Sequence, residues 1–336
     1  MPIHHRRPTA ERISTMAANS LTYSLLPTLV LTLTIAVSQT TNSAEIDSYT
    51  GRHLLTEDAQ IALNQELNRR FKFGIAGANQ AMAEAQTGCD TDKLYQQLRY
   101  AFAGNKDALV GNDIVSQLSD DSNIPSVIVQ RPDSVYRDIS LISGIDLYTG
   151  GLGAIIDING NIIGVDKIGH FLAQGWDYFQ AIEVEGGSLD EAMQWGEKTE
   201  ASYYGLWTTG LFSHADLTAN FNGYRFWLAL LSPDRDPLNA TASAYLHCDN
   251  QQWLINRPLD IADYIDGAWD EANNCLDFAS DAIADGVQHN IDALQLTREQ
   301  STCPIKPQRC QLAVKKYGDY SAMLLHPRCQ HAVSPD

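Results

Sequence analysis

The stretch DKIGHFLAQGWDYFQ, residues 166–180, sets three reactive side chains, Asp166, Lys167 and His170, at the start of a predicted helix. Successive helical residues turn by about 100°, so Asp166, His170, Gln174 and Asp177 share one narrow stripe with Lys167 at its edge. Ile168, Phe171, Leu172 and Phe179 lie away from that stripe. Taken alone, this is the pattern of a solvated helix face.

The two helices that follow carry polar residues on apolar sides. Ser188 and Glu191 form a predicted capping box after Gly186-Gly187, opening a helix that is expected to run to about Leu206. Gln194, Glu197 and Lys198 make its wet side, whereas Glu200 points among Met193, Gly196, Tyr204 and Trp207. The next helix is expected from Ser213 to about Leu231, with His214, Thr218, Asn222 and Arg225 as its polar face. Asp216 and Asn220 fall on the other side, in line with Gly223 and Trp227. A capping role beside Ser213 accounts for Asp216 but not for Asn220. A buried carboxylate costs several kcal/mol unless it is paired or bound to a cation. Asp166, Lys167 and His170 are therefore the expected partners of Glu200, Asp216 and Asn220.

Such a centre holds three carboxylates against one Lys and one His. It calls for a raised carboxylate pKa, a protonated His170 or a bound metal. If a divalent metal is held, the candidate ligands are Asp166, His170, Glu200 and Asp216. No HExxH motif is present, so no cofactor is specified. Trp269-Asp270-Glu271 with Asn274 forms a further acidic patch that could join this centre, but it reads rather as a solvated helix face with Trp269 packed inward.

The rest of the chain bounds the class. Residues 1–44 have Arg6, Arg7 and Arg12 ahead of an apolar run, Leu21 to Val37, broken by Pro27. That is the pattern of a secretory signal peptide, with cleavage expected after Ala44. The alternative is retention of the run as an anchor. Residues 1–44 carry three Arg and one Glu, so a formal charge of −18 for the 336 residues becomes −20 without them. Such a chain repels nucleic acid and anionic membranes. After residue 44 no apolar segment reaches spanning length without a charge. The six cysteines all follow residue 44, and an even count in an exported protein implies up to three disulfides. Cys303 and Cys310 are near enough for a local loop, although fifteen connectivities exist in principle.

The expected fold is mainly α: a helical core with one β-hairpin at 154–165 and a disulfide-stapled, loop-like tail from 298. Thr56 is expected to cap a helix reading EDAQIALNQELNRRF, and DKLYQQLRYAF is a second. Asn159-Gly160 suits the type I′ turn of the hairpin. Residues 258–286 read as one or two acidic helices. The expected division is a signal peptide (1–44), an N-terminal helical region (45–150), a motif core (151–235) and an acidic, Cys-containing region (236–336), with 45–336 forming one unit.

The order of motifs resembles the VanZ-like family, named for a glycopeptide-resistance membrane protein. The resemblance rests on DKxxHF at Asp166, Lys167, His170 and Phe171, then Glu200, then DxxxNxxG at Asp216, Asn220 and Gly223. DKIGHF is also similar to the motif of a related group of predicted periplasmic proteins of unknown function. The resemblance spans 166–227 and implies an exported, water-soluble relative of a family of membrane proteins, periplasmic or secreted. An Arg that commonly precedes the last motif of that family has no match here, where His214 is the nearest basic residue. Two functions stay open. One is a non-catalytic role in the envelope, with Asp216 and Asn220 contributing to binding of an envelope component or small ligand. The other is a hydrolase, metal-assisted or not, acting on an envelope lipid or glycan. There His170 is the acid or base, Asp166 orients it, Lys167 stabilises charge and Glu200 is the second carboxylate.

Overall fold

Asn159 and Gly160 have φ of 54° and 73°, the paired left-handed residues of a type I′ turn. They join β2 (Ala154–Ile158) to β3 (Asn161–Gly164), and β1 (Val127–Ile128) pairs with the outer edge of β2. Side chains alternate across a strand. Ile156 and Ile163, opposite each other, face the larger apolar cluster; Ile155 and Ile162 face a smaller one with Ile46, Tyr136 and Leu211. These positions come from a computed structural model, which describes residues 45–332 apart from 104–110, 146, 148–150, 203–204 and 239–241. The signal-peptide expectation, Tyr203 and Tyr204 lie outside the described residues.

The helices are α1 (Gln60–Ala85), α2 (Thr91–Ala103), α3 (Gly111–Ser119), α4 (166–184), α5 (Leu189–Glu200), α6 (His214–Ala229), α7 (Asp281–Ala293) and α8 (Pro307–Tyr317). The remaining strands are β4 (Leu211–Ser213), β5 (Leu246–Asp249), β6 (Gln252–Ile255) and β7 (Leu276–Phe278). The protein is mainly α, with three small antiparallel sheets of order β1-β2-β3, β4-β7 and β5-β6. None of the helices among the described residues is long and apolar enough to cross a membrane.

Leu63, Leu67, Phe71 and Ile75 recur at intervals of four along α1 and are buried, as an amphipathic helix requires. Gly74 lets α1 approach α2, where an added Cβ would come within 3.0 Å of the Leu98 Cα. Three disulfides tie the chain: Cys89–Cys248, Cys275–Cys303 and Cys310–Cys329. The first links the α1–α2 connection to β5.

Several sequence expectations need correction. Asp58, not Thr56, takes the first free N–H of α1, through Oδ1 to the Gln60 N–H at 2.8 Å. The capping box of Ser188 and Glu191 forms, but α5 stops at Glu200 rather than Leu206. The acidic stretch 258–286 holds short turns, a four-residue helix at Glu271–Asn274 and β7, and only its end, from Asp281, enters a longer helix, α7. A second hairpin joins β5 and β6 through Asn250 and Gln251, at φ 47° and 63°. The absence of Gly in that turn concealed it. The tail is helical in α8 and at Ser321–Leu324 and Pro327–Gln330, and Cys303 pairs with Cys275 rather than Cys310.

The helical tail explains the largest difference. Thr218, Asn222 and Arg225, expected on a wet face of α6, are all buried. Thr218 Oγ1 donates to the Leu324 carbonyl at 3.0 Å, and Asn222 Nδ2 donates to Tyr317 Oη at 2.9 Å. Arg225 is paired with Asp236 at 2.9 Å. The far side of α6 rests on α4. A Cβ on Gly223 would lie 2.0 Å from the Phe171 carbonyl oxygen, and one on Gly175 would lie 2.4 Å from the Gly223 Cα. The glycine of DxxxNxxG is thus the point at which the two helices cross with their backbones in contact.

Gly223→Ala should therefore destabilise the protein by about 1–3 kcal/mol or more, because backbone cannot yield as a side chain would. Gly286→Ala in α7, where an added Cβ meets nothing within 4 Å, should leave the melting temperature unchanged or raise it. Thermal melts of the two variants test the crossing. Equal melting temperatures would overturn it.

Candidate functional site

The crossing of α4 and α6 brings the motifs together. Lys167, with no solvent exposure, points its ammonium into three carboxylates. Asp166 Oδ2 lies at 2.7 Å, Asp216 Oδ1 at 2.6 Å and Glu271 Oε1 at 2.7 Å from Nζ. The Asp216 contact is ionic and off the hydrogen-bond direction. Asp166 sits in the first turn of α4, where the positive helix end favours a carboxylate. Gly164 makes room for it: a Cβ there would fall 1.9 Å from Asp166 Oδ1.

His170 lies one turn along α4 from Asp166. Its Nδ1 is 3.1 Å from both Gln174 Oε1 and Asn220 Oδ1, and its Nε2 is 3.2 Å from Asp216 Oδ2. Two amide oxygens around Nδ1 assign the proton to that nitrogen. From His170 to Gln174, α4 widens into a π-turn, a distortion frequent at functional sites. Trp227 Nε1 donates to the carbonyl of Leu172 in this turn at 3.0 Å.

The structure brings all six expected residues, Asp166, Lys167, His170, Glu200, Asp216 and Asn220, into one buried region, and it corrects several readings. The stripe of Asp166 and His170 is not a wet face; these residues are 5% and 6% exposed. Glu200 does not reach Lys167 or the His170 edge. Its Oε1 accepts from the Ser213 N–H at 3.0 Å, so no capping box forms between Ser213 and Asp216. Asp270 and Glu271 are not solvated either; both are buried, and Trp269 packs inward as expected. Asp270 binds Arg52 at 2.9 Å and caps the turn that carries Glu271. Asn274 is structural, donating to the Ala268 and Leu324 carbonyls at 3.0 Å.

The sequence reading leaves out Glu45 and prefers a solvated face for Glu271. Glu271 has no helical pattern to place it, because it stands on a single turn. Glu45, also buried, accepts from Thr209 Oγ1 at 2.9 Å and lies in an irregular segment with no periodicity. The buried region thus holds five carboxyl groups, three of them on the one ammonium and one of those three also beside the imidazole.

Electrostatics follow from that imbalance. Burial alone lowers the pKa of an ammonium, yet Asp166, Asp216, Glu271 and Glu45 outweigh it and hold Lys167 well above its usual value. Burial raises Asp216, but His170 and Lys167 outweigh it and hold this carboxyl below its usual range. Burial, then the neighbouring carboxylates, pushes Glu45 and Glu200 well up. Burial raises Glu271 to about 7, with Lys167 pulling it down and Asp166 and Asp216 pushing it up. Asp166 Oδ1, Glu45 Oε2 and Glu271 Oε2 are buried with no hydrogen-bond partner among the described residues. One ligand atom each from Asp166, His170 and Asp216 lie within 4.8 Å of one another, a grouping able to hold a metal ion.

The pKa directions set a pH dependence. A carboxyl raised in the folded state binds its proton more tightly than in the unfolded chain, so Glu271 lowers stability as pH rises from about 4.5 to about 7. Asp216, held low, contributes stability that is lost as pH falls below about 3.8. In chelator-containing buffer the melting temperature should therefore peak near pH 4–5 and decline toward pH 8. Glu271→Gln should flatten the decline; an unchanged slope in that variant would contradict the assignment.

No protein-family model, no curated protein and no solved structure matches the chain. The chemistry of the centre rests on its own geometry.

Proposed function

We propose that the chain is an exported envelope protein in which the Lys167 centre is a non-catalytic clasp, fixing α4, α6 and the Glu271 turn as a scaffold for binding an envelope component. One observation carries this reading: the Lys167 ammonium has no solvent exposure and three carboxylates at 2.6–2.7 Å. An ammonium enclosed in this way is not free to act on a substrate. Three disulfides fit an oxidising compartment. The order of DKxxHF, Glu200 and DxxxNxxG supports kinship with VanZ-like proteins, as a relative without their spans. Mass spectrometry of the exported chain should give an N-terminus at Glu45.

A second reading has its own observation. The side chains of Asp166, His170 and Asp216 keep 5–7% exposure, whereas those of Lys167 and Glu271 have none. Solvent therefore touches the His170 edge, where a hydrolase acting on an envelope lipid or glycan would place its acid or base.

Removing one partner of a buried ionic group strands the others, at a cost of about 3–5 kcal/mol. Lys167→Met should lower the melting temperature by roughly 10 °C and leave a purified protein without new activity. His170→Ala should cost less. A stable Lys167→Met protein would sink the clasp. Loss of hydrolysis of an envelope lipid or glycan extract in an equally stable His170→Ala protein would favour the enzyme.

A further inference from the structure

We infer that the His170 edge of the centre is a binding site for a first-row divalent cation, held by His170 Nε2, Asp216 Oδ2 and one oxygen of Asp166. This rests on the clasp reading and adds a ligand to the same centre, through His170 Nε2 and the Asp216 oxygen that Lys167 does not take.

The argument begins with the imidazole. Nδ1 faces two amide oxygens, from Gln174 and Asn220, so it carries the proton. A metal-bound His commonly donates its remote N–H to an oxygen in this way, and the bond orients the ring. The other nitrogen, Nε2, faces Asp216 Oδ2. With no cation between them, a lone pair faces a carboxylate, unless a second proton makes the ring an imidazolium.

The distance fits ligands that share a cation, although N–H···O bonds also reach about 3.2 Å. A charge-assisted N–H···O hydrogen bond is typically about 2.7–2.9 Å long. Two ligand atoms about 2.0–2.1 Å from a tetrahedral cation lie about 3.3 Å apart. The Nε2 to Oδ2 separation is 3.2 Å, the spacing of adjacent ligands. Asp166 supplies a third ligand atom within 4.8 Å of both. Asp166 is 5% exposed, and its Oδ1 is buried with no hydrogen-bond partner among the described residues.

Charge and exposure agree. Lys167 takes the other oxygen of Asp216, so this carboxylate would bridge ammonium and cation. Asp166 and Asp216 against the one ammonium leave negative charge at the His170 edge for a dication to offset. The three candidate ligands retain the slight exposure that Lys167 and Glu271 lack. One imidazole with carboxylates suits zinc, manganese, iron or cobalt rather than a thiolate-seeking ion.

The test uses the exported protein, stripped with chelator and titrated with Co2+. One Co2+ per chain with visible d–d absorption is expected, and Zn2+ should raise the melting temperature by several degrees. His170→Gln and Asp216→Asn should each weaken binding at least tenfold. His326→Gln, in the separate His214/Asp277/His326 cluster, should not. X-ray absorption of the zinc-loaded wild type needs no variant: a nitrogen/oxygen shell with a single imidazole is expected. Absence of d–d bands, bands that survive His170→Gln, or a shell with two imidazoles would each overturn the site. Lys167→Met melted in chelator judges the clasp separately, so the two ideas fail on different measurements.

Discussion

The structure depends on one ammonium, that of Lys167, enclosed by Asp166, Asp216 and Glu271 with no solvent exposure. Each of those acids comes from a different element. Asp166 opens α4, Asp216 lies in the first turn of α6 and Glu271 opens the short helix before β7. Burying these charges gains little net stability over an apolar core. What the arrangement supplies is position. Only one relative placement of the three elements gives Lys167 all its partners, and the backbone contact of Gly175 with Gly223 makes that placement sterically accessible.

The constraint propagates outward. Because Ser213 donates its N–H to Glu200, the end of α5 is tied to the start of α6. Glu271 also accepts from Ser213 Oγ, so β4 and the turn before β7 meet at the same residue. β4 then pairs with β7 from Leu211 to Ser213. The tail closes the far side of α6 with hydroxyl and amide contacts at Thr218 and Asn222 rather than with further charge. An α6 buried all round needs such satisfied polar groups, since each unpaired one costs about 1–3 kcal/mol.

How much of this was legible in the sequence depends on periodicity. The α4–α5–α6 order, the Ser188 capping box and the Asn159-Gly160 hairpin all carry local signals, and all three form. Six polar residues were assigned a common centre because Glu200, Asp216 and Asn220 stood on apolar faces. Glu271 and Glu45 escaped because neither stands on a helix long enough to show a face. Thr218, Asn222 and Arg225 were misread as wet for a related reason. A helical wheel reports which residues share a side, not what later covers that side, and here the cover lies about a hundred residues downstream in the tail.

The same limit explains why DKIGHF looked like a surface stripe. Within α4, Asp166, His170 and Gln174 do form the polar side, as amphipathic spacing requires. They are buried because α6 presents Asp216 and Asn220 to them at hydrogen-bond and ion-pair distance. The polar side of α4 thus meets two polar residues on the otherwise apolar side of α6, with apolar side chains such as Phe171 and Trp227 sealing the surroundings. An excess of acid inside such a seal has three outlets: carboxyls that keep their protons, an imidazole that gains one, or a cation that enters. Glu45 and Glu200 take the first outlet through burial, and Glu271, raised only to about 7, takes it in part. Asp216 cannot, because Lys167 and His170 hold it ionised. The negative charge that remains is concentrated beside His170, where the side chains still touch solvent.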